Sequence, residues 1–133
     1  MADSELRPIY LLTGGDRPKI RRALERLRAR FGPESVETID AEAASGEEAV
    51  AACNSLGLFS GEGGRLIVVE AVEHWKKEDE EAIAGYAADP VPGAVLALVA
   101  GGDLKGSALP ALAAKAGEVL AYDVRGRATS RPG

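Results

Sequence analysis

Ile9-Tyr-Leu-Leu-Thr-Gly-Gly-Asp16, running on into Arg17-Pro-Lys-Ile-Arg-Arg-Ala-Leu-Glu-Arg-Leu-Arg-Ala-Arg-Phe31, is the stretch that decides the fold. Its first five residues form a short apolar run without polar alternation, the pattern of a strand buried on both faces. Gly14-Gly15 supplies a tight turn, and Asp16 is placed to cap a helix. From Arg17 to Phe31 the apolar positions Ile20, Ala23, Leu24, Leu27 and Phe31 recur at helical spacing, and Gly32-Pro33 stops the helix. A doubly buried strand feeding an amphipathic helix is the opening unit of a parallel α/β sheet.

The unit recurs along the chain. Val36-Glu-Thr-Ile-Asp40 reads as a second strand, followed by a helix of roughly 46–54 capped by Ser45. Arg65-Leu-Ile-Val-Val-Glu70 is strongly β-type. Charged residues from Lys76 to Glu81 open another helix with Ile83, Tyr86 and Ala87 facing inward, ending near Asp89-Pro90. Ala94-Val-Leu-Ala-Leu-Val-Ala100 is a fourth buried run, Leu109 to Lys115 a short Ala-rich helix, and Glu118-Val-Leu-Ala-Tyr-Asp123 a fifth strand. The expectation is a three-layer α/β fold, with a parallel sheet of roughly five strands, helices on both faces and the first strand central. One domain over 1–124 is expected. Residues 125–133 contain no large apolar side chain and read as a flexible tail or the start of a linker.

With 133 residues and 46% hydrophobic content the chain can fill one core. A net charge of −5 argues against nucleic-acid binding by the chain as a whole, while leaving room for a local basic face. The polar N-terminus lacks the apolar region of a signal peptide, and no apolar run reaches the roughly 18 to 20 residues of a membrane span. Cys53 is the lone cysteine, so no internal disulfide can form, which fits a reducing cytosol.

Thr13-Gly14-Gly15-Asp16-Arg17-Pro18-Lys19 stands where a nucleotide-binding protein keeps its phosphate loop, but it lacks that chemistry. A phosphate loop needs a longer glycine-rich arc closing on Lys followed by Ser or Thr, whereas Lys19 precedes Ile20. Pro18 removes a backbone donor, and Asp16 puts negative charge where a phosphate would sit. Asp40 occupies the position from which dinucleotide-binding folds grip a ribose, yet without the glycine loop Asp40, Glu42 and Asp103 read as caps and loop residues. His74, beside Trp75, has no Cys or His cluster around it and reads as a surface or partly packed histidine. Cys53 is expected to face the core and lacks the partner of a nucleophile. The first helix carries Arg17, Lys19, Arg21, Arg22, Arg26, Arg28 and Arg30, most of them opposite its apolar stripe. Arg17, Arg21, Arg22 and Arg28 are candidates for contacting nucleic acid or an acidic partner.

Leu56-Gly-Leu-Phe-Ser60, followed by Gly61, Gly63 and Gly64, places Leu58 and Phe59 among small and polar residues just ahead of a strand. Large apolar side chains on a loop suggest a plug for another protein's pocket. The alternative is that the pair folds back as a staple beneath the sheet edge.

Ile9 to Asp16, the basic helix, Leu56 to Ser60, Arg65 to Glu70, Val95 to Val99 and the segment from Leu109 to Tyr122, taken in order, resemble the N-terminal domain of the bacterial DNA polymerase III delta subunit, a clamp-loader component. The resemblance runs from Pro8 to Val124, and its most specific element is the Leu-Phe pair followed closely by Arg and a strand. It implies a nucleotide-free variant of the P-loop-type ATPase fold of clamp loaders, with a degenerate nucleotide site and no cofactor. Leu58 and Phe59 would be anchors in a hydrophobic pocket on the sliding clamp, with Leu56 and Ser60 shaping and flanking the tip. The implied role is non-catalytic in itself, promoting ring opening in DNA replication within a holoenzyme that has DNA-directed DNA polymerase activity. Implied partners are the sliding clamp, the other loader subunits and, indirectly, DNA; the implied location is cytoplasmic, with no membrane partner. Family members continue into a small helical domain and a collar domain, so the expectation is an excised domain or a shortened gene product. The competing reading is a small α/β enzyme or nucleotide-binding domain using the strand ends around Gly14, Asp40 and Asp103.

Overall fold

The computed structural model describes residues 6–55 and 64–122. β1 (Ile9–Thr13) leads into α1 (Arg17–Ala29), β2 (Val36–Asp40), α2 (Gly46–Asn54), β3 (Arg65–Glu70), α3 (Lys77–Ala87), β4 (Ala94–Val99), α4 (Leu109–Ala116) and β5 (Glu118–Ala121). Short 3-10 turns at Pro33–Ser35 and Val72–His74 complete the path and had no periodic signal to announce them.

All strand pairings are parallel, in the order β2-β3-β4-β1-β5. Leu11 of β1 lies opposite Leu98 of β4 on one side and Val119 of β5 on the other. β1 is therefore interior but not central, which corrects the expectation; the middle position belongs to β4, whose six residues are all buried. The reason is that an all-apolar strand announces two covered faces and not its place among its neighbours. β1, β3 and β4 carry that signature equally, while the edge strands β2 and β5 are only partly buried.

Strand alternation divides the core in two. Ile9, Leu11, Ile67, Val69, Leu96 and Leu98 face one layer, where Ala49 and Cys53 of α2, Ile83 and Tyr86 of α3, Leu109 and Ala113 of α4, and Trp75 cover them. Tyr10, Leu12, Leu66, Val68, Val95, Ala97 and Val99 face the other, covered by Ile20, Ala23 and Leu24 of α1. Helices thus lie on both faces, with α1 alone on its side.

Local chemistry sets the helix starts. Asp16 Oδ1 accepts from the Lys19 N–H at 3.2 Å. At α2, Ser45 Oγ accepts from Glu48 N–H at 3.1 Å while Glu48 Oε1 accepts from Ser45 N–H at 3.0 Å, a reciprocal capping box. Asp79 joins two helices across the sequence: Oδ2 accepts from Lys76 N–H and Oδ1 from Gly46 N–H, each at 2.9 Å. This pairing requires α2 and α3 to start side by side, and a Cβ at Gly46 would overlap the Asp79 carbonyl.

Candidate functional site

The β1–α1 turn is closed by the chain's own backbone. Asp16 N–H donates to the Tyr122 carbonyl at 2.9 Å, and Tyr122 N–H donates to the Thr13 carbonyl at 2.7 Å. Arg17 N–H goes to Gly15 at 3.0 Å, Lys19 N–H to the Asp16 carboxylate and Ile20 N–H to the Asp16 carbonyl at 3.1 Å, while Pro18 has none to give. The donors that a phosphate would need at a helix start are thus engaged from Asp16 to Ile20. Gly14 makes the closure possible, with φ at +119° and Tyr122 packed where a Cβ would stand.

The other residues at the carboxyl ends of the strands behave as caps and surface pairs. Asp40 Oδ1 accepts from Glu42 N–H at 2.9 Å and Asp103 Oδ1 from Lys105 N–H at 3.0 Å, both exposed. His74, about half exposed, has its Nε2 3.1 Å from Glu42 and 3.5 Å from Glu73. No group of three or more metal-ligating side chains assembles among the described residues. Sequence reasoning missed Glu73, whose Oε1 accepts from Gly101 N–H at 2.7 Å, while Arg17 Nη1 donates to the Gly101 carbonyl at 3.2 Å. These residues tie α1 to the ends of β3 and β4, and no short-range spacing signals the link.

The basic residues of α1 form two rows flanking its apolar stripe. Arg17, Arg21 and Arg28, at i, i+4 and i+11, line a groove of about 530 Å³ whose opposite wall includes Glu70 and Glu73. Arg28 Nη2 donates to Thr38 Oγ1 at 3.4 Å. Lys19, Arg22 and Arg26, at i, i+3 and i+7, occupy the other flank and are exposed. The structure therefore brings together three of the four expected arginines and separates Arg22 from them.

Leu56, Leu58, Phe59 and Ser60 lie outside the described residues, as do residues 123–133. α2 ends at Asn54 and β3 begins at Arg65, at the amino end of the sheet and opposite to the β1–α1 turn, and the Leu-Phe pair lies between them in sequence. Both flanks are firmly built. Cys53 and Leu66 are fully buried, and Arg65 N–H donates to the Gly93 carbonyl at 2.9 Å, with Gly64 at φ +85° against the same carbonyl. Cys53 faces the core as expected, and burial pushes its thiol up to about 11 despite a hydrogen bond with Tyr86. Burial likewise raises the Tyr86 phenol, whose oxygen accepts from Val91 N–H at 3.2 Å. Neither group is poised for chemistry near neutral pH. No helix among the described residues is long and apolar enough to cross a membrane.

No protein-family model and no curated relative matches the sequence. Solved structures do match the fold. The Bacillus subtilis DNA clamp loader delta protein (YqeN) superposes with a TM-score of 0.76 at 21% identity, covering 92% of this chain and 40% of that one. A DNA polymerase III gamma subunit-related protein from Thermotoga maritima gives 0.62 at 16% identity, covering 92% and 44%. The RuvB Holliday junction branch migration motor of Thermotoga maritima gives 0.60 at 16%, covering 92% and 40%. The chain thus spans less than half the length of each of these proteins. Its parallel five-stranded sheet, with α1 on one face and α2 to α4 on the other, is the α/β fold that it shares with these clamp-loader and branch-migration proteins.

Proposed function

We propose that this chain is the sliding-clamp-binding domain of a cytoplasmic clamp-loader delta-type subunit, and that Leu58 and Phe59 are its anchors. Leu56 and Ser60 flank the tip. The observation that carries the reading is the likeness to the Bacillus subtilis delta protein over 92% of the chain, in a sequence that sets a Leu-Phe pair between α2 and β3. Burying Leu and Phe supplies about 1.5 to 3 kcal/mol each, enough to anchor a site, with surrounding contacts needed for tight binding. Ring opening then follows from preferential binding to a clamp shape incompatible with the closed ring, since a ligand shifts an equilibrium only by its differential affinity. Assembly with other loader subunits, and through them with DNA, belongs to the same proposal. The occupied donors of the β1–α1 turn support a non-catalytic, nucleotide-free role over the enzyme reading.

The test is Leu58→Ala with Phe59→Ala, assayed by pull-down with purified clamp from the same source and by thermal melting. Lost clamp binding at an unchanged melting temperature is the expected result. Unchanged binding with a sharply lowered melting temperature would show that the pair staples the sheet edge and would overturn the anchor role.

A further inference from the structure

The outer row of cations on α1 is not used by the clamp-binding reading. Lys19, Arg22 and Arg26 are exposed, and Arg22 and Arg26 make no ion pair among the described residues. Lys19 has only a long 3.8 Å contact with Asp16, and its side chain is 54% exposed. Their Cα atoms follow one another at about 4.5 and 6 Å along the helix axis, so the charges form a line and not a cluster.

From this arrangement we infer that the Lys19-Arg22-Arg26 ridge contacts the phosphodiester backbone of a nucleic acid directly. Three features favour phosphates over an acidic protein. The ridge offers no aromatic or large aliphatic side chain on which a protein interface could centre. Its spacing presents successive positive charges to a linear polyanion. It also sets Arg22 and Arg26, which make no ion pair among the described residues, beside the weakly paired Lys19 in a chain of net charge −5, whose acidic groups elsewhere are screened over about 10 Å at 0.1 M salt. With no side chain to read base edges, the contact is independent of sequence and steeply dependent on salt.

The full chain is titrated into a fluorescein-labelled mixed-sequence duplex of twenty base pairs, and anisotropy is read at 50 and 200 mM salt. If three phosphates are neutralised, wild-type affinity falls about 40-fold between these conditions, and if Arg22→Ala with Arg26→Ala leaves one, the fall is about 3- to 4-fold. Arg22→Lys with Arg26→Lys keeps the charge and should retain the wild-type slope. Melting temperatures of all three proteins should agree, because the altered side chains are exposed. No binding at 50 mM salt, or an unchanged slope in the alanine variant, overturns the inference. Equal affinity for poly-glutamate, lost in the same variant, overturns it in favour of an acidic-protein surface. Clamp binding by the alanine variant should be unaffected, so this result stands or falls separately from that of Leu58 and Phe59.

Discussion

Removing the Asp79 carboxylate should loosen two helix starts at once. In Asp79→Ala, the Gly46 and Lys76 N–H groups both lose the acceptor they hold at 2.9 Å. A hydrogen bond to a charged group contributes about 1.5 to 3 kcal/mol, and loss of a helix cap costs about 0.5 to 2 kcal/mol. The Gly46 bond is partly buried and the Lys76 bond faces solvent, where water replaces much of what is lost. Taking the first near the lower end of the charged range and the second near 1 kcal/mol gives roughly 2 to 3 kcal/mol in total. For a domain of this size that corresponds to a fall in melting temperature of roughly 8 to 12 °C. Asp79→Asn keeps one acceptor oxygen and should fall between the two. Urea denaturation at constant m-value is the direct assay. An alanine variant within about 0.5 kcal/mol of wild type would refute the reasoning, since it would mean that water caps both helices as well as the carboxylate does. The functional consequence runs through α2, whose far end launches the segment carrying Leu58 and Phe59.

Calorimetry with magnesium and millimolar ATP should show no heat of binding, because the backbone donors from Asp16 to Ile20 are already committed within the chain. Saturable binding lost on mutation of Lys19 would reverse that conclusion. Cys53 predicts an alkaline limb in stability: its folded thiol is raised to about 11 from an ordinary 9.0, so between those values the unfolded chain releases a proton that the folded chain retains. Stability therefore falls as pH rises through this window, by up to about 1.4 kcal/mol per pH unit from this group. Urea melts of Cys53→Ala should show a shallower decline, and an identical slope would place the effect elsewhere.

The local readings held where local physics governs. The apolar runs of β1, β3 and β4 and the caps at Asp16 and Ser45 are properties of a few adjacent residues, and they were legible without tertiary context. The same is true of the missing phosphate-loop chemistry, since Lys19 followed by Ile20 cannot place a hydroxyl on magnesium in any fold. For the candidate site, the sequence singled out the Leu-Phe pair and the basic helix, because unusual side chains in an unusual context are visible in one dimension.

Only the tertiary structure decided how these pieces meet. Strand order depends on crossovers between residues far apart in sequence, so β4 and not β1 took the centre although both are largely apolar, buried runs. Closure of the β1–α1 turn needed Tyr122 to arrive beside Gly14, and the shared cap needed Asp79 to arrive beside Gly46. The arginines of α1 likewise divided once the helix had a sheet beneath it, Arg17, Arg21 and Arg28 facing a groove and Arg22 facing away. Side-chain spacing along a helix is written in the sequence, but which flank meets a neighbour and which meets solvent is set by the packing of the apolar stripe between them.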